Sequence, residues 1–279
     1  MESSGVRKFL FVVLVIVLSL TGARVGSSAE YQLKIAIDKE KKEVKGEETV
    51  SFINKATEGI EEVYFHLYPQ VFKGRITVEE VKTEGRWLSH TVEEGFLKVT
   101  LPEKLLPGKK IVLSLKFGLN LLEKAPCFGY YEELIYLTNW YPILSVYEEE
   151  GWFVGSYEGF DGSLYSEISS YEVEVILPSQ EVVVTTGEIV KEEVEEGQKR
   201  IYLKADKVRD FALVVSPEYK SITGKVGEEE ETEKAPGEAA KEQSKETQIE
   251  VYYFKDKGIA EIILSMAEEA LVYFSSELF

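Results

Sequence analysis

The 279-residue chain has one cysteine, two histidines and two methionines. A single thiol, Cys127, forms no internal disulfide, and with no Cys-x-x-Cys pair there is no thiolate metal site. His66 and His90 are the only imidazoles, and neither has a second histidine near it in sequence. Metal and proton-transfer chemistry therefore have little to work with, which argues against a self-sufficient zinc enzyme. Basic residues are also in deficit, 32 Lys and Arg against 50 Asp and Glu, for a net charge of −18. So acidic a surface repels nucleic acid and anionic lipid, which excludes both as partners of the body of the chain. Long apolar runs are missing too. The longest, Phe9–Leu20, falls short of the ~20 residues a bilayer-spanning helix needs.

What is present is strand material, 16 Tyr and 14 Phe in a chain that is 44% hydrophobic. Tyr31-x-Leu-x-Ile-x-Ile37 alternates with period two, as a half-buried strand does. Thr49–Ile53 and Val63–Tyr68 continue the series, the latter halted by Pro69. Further strands are expected at 76–83, 86–92, 95–101, 110–119, 171–177, 181–190, 199–204, 211–216 and 249–254, with turns at Glu94-Gly95 and Pro107-Gly108. About a dozen short, mostly alternating strands predict an all-β fold, an antiparallel β-sandwich. No segment between 31 and 250 sustains a 3.6-residue period.

Three regions stand apart from that body. Residues 1–29 place Arg7 and Lys8 before the apolar run and end on Ser27-Ser-Ala29, the order of a secretory signal peptide cleaved after Ala29. A secreted or cell-envelope location follows, with membrane contact only if that segment stays uncleaved. Residues 221–248 hold eight Glu, four Lys and no aromatic residue, the composition of a disordered acidic loop within a sandwich domain spanning 30–255. From Gly258 the apolar residues fall at Ile259, Ile262, Ile263, Met266, Ala270, Leu271, Phe274 and Leu278, one face of a helix that Asp256 caps.

Together, three stretches resemble the amino-terminal domain of the zinc aminopeptidases related to aminopeptidase N and leukotriene hydrolase. They are Tyr31–Ile37 with Val44-x-Gly46 and Val50-x-Phe52, then Leu137-Thr-Asn-Trp-Tyr-Pro142, then Val208-Arg-Asp-Phe-Ala-Leu-Val-Val-Ser216. The closing 249–279 is similar to the family's entry into its catalytic domain. That resemblance implies a truncated chain, in which 256–279 is the first helix of a missing catalytic domain. The family's His-Glu-x-x-His and Gly-x-Met-Glu-Asn motifs do not occur here. Zinc is then expected in the missing domain rather than in this chain, which holds no catalytic residue and no metal ligand of its own. The implied partners are that catalytic domain and the amino terminus of a peptide substrate. The family also lends one acidic or amide side chain from this domain to the substrate's ammonium, nine positions before the Pro of the aromatic-Pro segment. Counting back from Pro142 reaches Glu133, with Glu132 as the neighbour if the loop shifts by one. A carboxylate facing an ammonium is a charge-assisted hydrogen bond, which suits the residue type. The competing expectation is a free-standing secreted binding or structural module of the cell envelope with no peptidase activity.

Other residues invite blander readings. Glu148-Glu-Glu150 lacks the Asp-x-Asp-x-Asp-Gly spacing of a calcium loop and reads as an exposed turn. Ser163 and Ser166 sit in no Gly-x-Ser-x-Gly elbow. Trp87, Trp140 and Trp152 read as packing rather than a carbohydrate platform. Cys127 reads as a small buried residue.

Overall fold

The computed structural model describes residues 14–16, 28–93, 95–155, 165–227 and 247–278. The chain divides into two compact units, Arg24–Pro217 and a second formed by Met1–Ala23 with Glu218–Phe279.

In chain order, β1 (Leu14–Ile16) belongs to the smaller unit. The larger unit opens with β2 (Ala29–Asp38) and β3 (Glu43–Ile53). It continues through β4 (Ile60–His66), a single helical turn α1 (Tyr68–Val71), β5 (Arg75–Thr83), β6 (Arg86–Trp87), β7 (His90–Glu93), β8 (Phe96–Leu105) and β9 (Lys110–Asn120). Short strands follow, β10 (Phe128–Tyr131), β11 (Leu134–Leu137), β12 (Ile143–Leu144), β13 (Tyr147–Glu148) and β14 (Gly151–Trp152). The unit closes with β15 (Ser169–Pro178), β16 (Val182–Thr185), β17 (Glu188–Glu195), β18 (Gln198–Val208) and β19 (Leu213–Ser216). The all-β expectation holds, with local differences. The single strand expected over 86–92 divides into β6 and β7, which join different sheets. Pro69 ends the third strand by opening α1, where its missing N–H costs no hydrogen bond. The single strand expected over 181–190 breaks into β16 and β17 at Gly187, whose φ of +87° a side chain would resist.

An eight-stranded sheet runs β17-β18-β15-β2-β3-β9-β5-β6, and two four-stranded sheets run β12-β4-β8-β7 and β10-β11-β19-β16. Among the described residues, the strand pairings in these three sheets are antiparallel except β15 with β2, which runs parallel from Ser170↔Glu30 to Ile176↔Ala36. Period-two alternation sends Tyr31, Leu33, Ile35 and Ile37 inward from β2, and Tyr171, Val173, Val175 and Leu177 inward from β15. They join Leu113, Leu115, Phe117 and Leu119 of β9 and the inner rows of both smaller sheets in one continuous core. Removing one such leucine side chain costs about 2–5 kcal/mol. Gly46 explains the Val44-x-Gly46 pair. It lies opposite Phe117 in the β3–β9 register, and a Cβ there would collide with the Phe117 ring.

The smaller unit pairs β20 (Lys220–Val226) with β21 (Thr247–Tyr253), and β1 lies antiparallel on the far edge of β21. Strand β20 narrows the expected acidic loop, because Lys220–Val226 pairs residue by residue with Tyr253–Thr247. The rest of that loop, 228–246, lies outside the described residues, as does most of the signal segment. Although the sequence groups strand 249–254 with the sandwich, it clusters with helix α2 (Lys257–Leu278). Asp256 Oδ1 accepts a hydrogen bond from the Ile259 amide at 3.2 Å, capping that helix as expected.

The helix turns a different line to the hairpin than the expected stripe. Ala260, Ala267 and Leu271 are buried, with Ile263 and Leu264 against them, over Ile249 and Val251. Small residues win this contact because the backbones approach closely. At Gly224 of β20, a side chain would run into Leu264 and Glu268. Ile262, Met266 and Phe274 of the expected stripe are left 61%, 64% and 51% exposed. No helix among the described residues is long and apolar enough to cross a membrane.

Candidate functional site

The candidate side chain Glu133 sits at the tip of the β10–β11 hairpin, a two-residue turn in which Glu132 takes a left-handed φ of +53°. The base of the hairpin is held firmly. All four residues of β11 are buried, and the strand lies between β10 and β19. Gly129 of β10 passes so close to the Leu122 carbonyl that a Cβ would overlap it. The tip projects outward, and both glutamates are exposed.

Glu133 is not alone there. Lys39, just past the end of β2, donates through Nζ to Glu133 Oε2 at 3.1 Å, to the Glu133 carbonyl at 3.2 Å and to Glu181 Oε1 at 2.8 Å. The Glu181 side chain, in the turn before β16, is fully buried, and its Oε2 has no hydrogen-bond partner among the described residues. Lys199 Nζ donates to the Glu181 carbonyl at 3.0 Å and lies 3.1 Å from Glu192 Oε1. Three carboxylates thus face two ammonium groups. The sequence pointed to Glu133 but not to Lys39 or Glu181. Lys39 reads as one of a run of charges, Asp38-Lys-Glu-Lys-Lys42, and Glu181 as an ordinary turn residue. Glu132 is left outside the cluster's hydrogen bonds.

The three stretches that carry the sequence resemblance meet in the core. The Tyr31 ring stacks on Tyr171 at 4.8 Å and meets Tyr141 edge-on at 5.9 Å, and the Leu144 amide donates to its hydroxyl. The Tyr141 hydroxyl lies 3.0 Å from that of Tyr171 and 3.2 Å from Asp210 Oδ1. The amides of Phe211 and Asn139 donate to the Asp210 carboxylate at 2.8 and 3.2 Å, while Trp140 Nε1 donates to the Phe211 carbonyl at 3.0 Å. Burial raises the Asp210 carboxyl, and these donors pull it back. The motifs are therefore joints between strands. Nearby Glu48 was missed by sequence reading. It points inward from β3 with both oxygens unpartnered among the described residues, and desolvation drives its carboxyl well above the ordinary range. The only sequence signal was a glutamate at an inward position of an alternating strand.

The remaining candidates resolve individually. His66 is buried against Tyr68 and Phe96, and burial lowers its pKa to about 4, so the imidazole is neutral at ordinary pH. His90 lies on β7, its Nδ1 3.4 Å from the Leu88 carbonyl. Ser166 donates to the Arg209 carbonyl at 2.7 Å, and Ser163 lies outside the described residues. Glu148 accepts a hydrogen bond from Tyr165 on the exposed β13–β14 turn. Trp140 is fully buried, Trp152 donates to the Glu62 carbonyl, and Trp87 is exposed beneath Lys82, so the three share no platform. Cys127 is only half-buried rather than fully so, and desolvation raises its thiol pKa. Among the described residues, no group of three or more His, Cys, Asp and Glu converges as a metal site requires.

No protein-family model matches the sequence, and no curated protein matches it. Among solved structures, the chain is similar to the M1 zinc metallopeptidase from Deinococcus radiodurans, with a TM-score of 0.50 at 15% identity over 70% of this chain and 42% of that one. A mutant of the enzyme from the same organism, bound to a Tyr-Ser-Ala substrate, gives a TM-score of 0.50 at 18% identity, over 70% and 43%. A two-domain M1 zinc metallopeptidase mutant bound to L-tryptophan gives 0.50 at 16%, over 70% and 43%. At such identities the likeness is one of fold, that of the amino-terminal domain of these metallopeptidases, and this chain spans less than half their length.

Proposed function

We propose that this chain, which shares the fold of the amino-terminal domain of M1 zinc metallopeptidases, is the non-catalytic amino-terminal portion of a secreted zinc aminopeptidase. The sandwich walls one side of the substrate cleft, and the parent enzyme removes amino-terminal residues from peptides. One observation carries the reading: an exposed carboxylate, Glu133, stands at the tip of a hairpin whose base is locked in the core. An incoming ammonium meets a carboxylate whose position is already set, so little ordering entropy opposes the contact.

Zinc does not fit this chain. Among the described residues, neither histidine belongs to a cluster of three or more His, Cys, Asp and Glu, and His66 is walled in by aromatic rings. The metal and the general base belong to the partner, the catalytic domain of the same parent chain, and no bond-breaking step falls to residues described here. The second apolar line on α2, with Ile262, Met266 and Tyr273 exposed, offers a face to that domain. The leader supports secretion or a cell-envelope location, with cleavage after Ala29 removing β1 from the edge of β21.

The test is to read the source gene past codon 279. The reading holds if the frame continues into Gly-x-Met-Glu-Asn and His-Glu-x-x-His, and if Glu133→Ala in the resulting enzyme raises KM for peptides with a free amino terminus. A stop codon after Phe279 overturns it and leaves the free-standing envelope module. Amino-terminal sequencing of the exported protein checks the cleavage.

A further inference from the structure

We infer that Lys39 and Glu181 are positioning residues that hold the Glu133 carboxylate at the hairpin tip and leave it able to take a second ammonium. The inference rests on the reading of Glu133 as a contact for a substrate's amino terminus, and it adds the residues that place it.

A glutamate at the end of a two-residue turn has several free torsions, and an exposed one samples them widely. Lys39 removes that freedom by bonding to Glu133 twice, at Oε2 and at the main-chain carbonyl, so the backbone of the tip is held together with its side chain. Lys39 is itself fixed by the fully buried Glu181, 2.8 Å away. The three residues come from the end of β2, the β10–β11 turn and the β15–β16 turn. Each anchors the others across strands that do not follow one another in sequence.

The charge count decides what the cluster does next. If Glu133 and Lys39 were an isolated pair, Lys39 would neutralise the carboxylate and compete with a substrate ammonium. Here Lys39 is shared with Glu181, and Lys199 is engaged by Glu192 and the Glu181 carbonyl. Three carboxylates against two ammonium groups leave one negative charge in excess. Glu181 is sealed, so the excess is presented where the cluster meets solvent, at Glu133, whose side chain is 61% exposed. The unpartnered Glu181 Oε2 adds to it from below. Such a site suits a primary ammonium at a peptide's amino terminus and disfavours a carboxylate or an acetylated terminus.

The experiment uses the chain as it stands, with L-leucinamide as the probe and N-acetyl-L-leucinamide as the uncharged control. Amide hydrogen exchange is followed over 128–137 in the parent, Lys39→Met, Lys39→Arg and Glu181→Gln chains, and Glu133 amide shifts are followed on titration with each probe. The latch predicts exchange at the tip about tenfold faster in Lys39→Met and Glu181→Gln, by local opening at labelling times over which β3 and β9 stay protected in every chain, and recovery to within about twofold in Lys39→Arg. It is overturned if tip exchange stays at the parent rate in Lys39→Met and Glu181→Gln, if β3 and β9 lose their protection over the same labelling times, or if Lys39→Arg fails to restore it. Shifts at Glu133 with L-leucinamide but not the acetylated control support the second-ammonium role, weakened in Lys39→Met. Fast exchange in Lys39→Met with no probe-dependent shift in any chain keeps the latch, overturns the second-ammonium role, and removes the amino-terminus contact from the proposed function.

Discussion

Glu48 and Glu181 are both glutamates sealed from solvent inside the same unit, yet they meet opposite surroundings. Glu181 faces the Lys39 ammonium at 2.8 Å, with Lys199 on its carbonyl. Glu48 projects into the core with neither oxygen partnered among the described residues. Removing a carboxyl from water costs several kcal/mol unless an opposite charge or hydrogen bonds replace the solvent. Glu181 has that replacement, whereas burial without one favours the protonated form of Glu48. Burial alone therefore does not say what a carboxyl does. Its partners do, and they arrive from distant parts of the chain.

Asp210 is the intermediate case, buried but supplied with two amide donors and a phenol. Asp256 is the solvent-exposed extreme, a helix cap. The four side chains form a series in which the environment sets the sign and size of each substitution. The largest effect belongs to Lys39→Met, which strands Glu181 without its counter-ion and should lower unfolding stability by about 3 kcal/mol, read from the urea midpoint. If the midpoint does not move, the pair contributes nothing and the contrast with Glu48 falls. Next, Asp210→Ala leaves the Asn139 and Phe211 amides and the Tyr141 hydroxyl without their acceptor, a loss of about 2–3 kcal/mol.

Glu48→Gln should move the other way. The folded carboxyl is raised above its unfolded value, so its stabilising contribution is present below the unfolded pKa and is lost as pH rises through the folded one. The parent should therefore lose stability on going from about pH 4.5 upward, and Glu48→Gln should flatten that decline, gaining about 1–2 kcal/mol near neutrality. Identical pH dependence in the two chains would show that Glu48 finds a partner. The smallest effect is Asp256→Ala, about 1 kcal/mol, seen as a lower thermal midpoint for the α2 circular-dichroism signal.

Much of the fold was legible because the relevant physics is local. The alternation in Tyr31–Ile37 has the period of a pleated strand, and that period gave both the strand and its inward face. Gly46 could be flagged as unusual but not explained, since its reason, the Phe117 ring, lies in another strand. The Asp256 cap needed only the three residues after it. The helix face was half legible. Periodicity found the helix, but two apolar lines lie on its surface, and the hairpin chose the one with alanines at 260 and 267 because they let Gly224 come close. Glu133 was reached by counting from a motif, whereas Lys39 and Glu181 carried no signal, being commonplace residues in a charge run and a turn.

The sequence by itself determined that the body is made of alternating strands, that a capped helix follows them, and that no His-Glu-x-x-His motif occurs in the chain. These properties depend on composition and on neighbours a few positions apart. Only the tertiary structure decided which glutamates are paired, because Lys39 lies 94 residues from Glu133 and 142 from Glu181. Such distances close only when sheet order places the end of β2 beside two turns made much later in the chain. The same is true of the sequence stretches that meet around Tyr31, Tyr141 and Asp210. Strand periodicity is a property of a segment, whereas a charge cluster is a property of the register between segments.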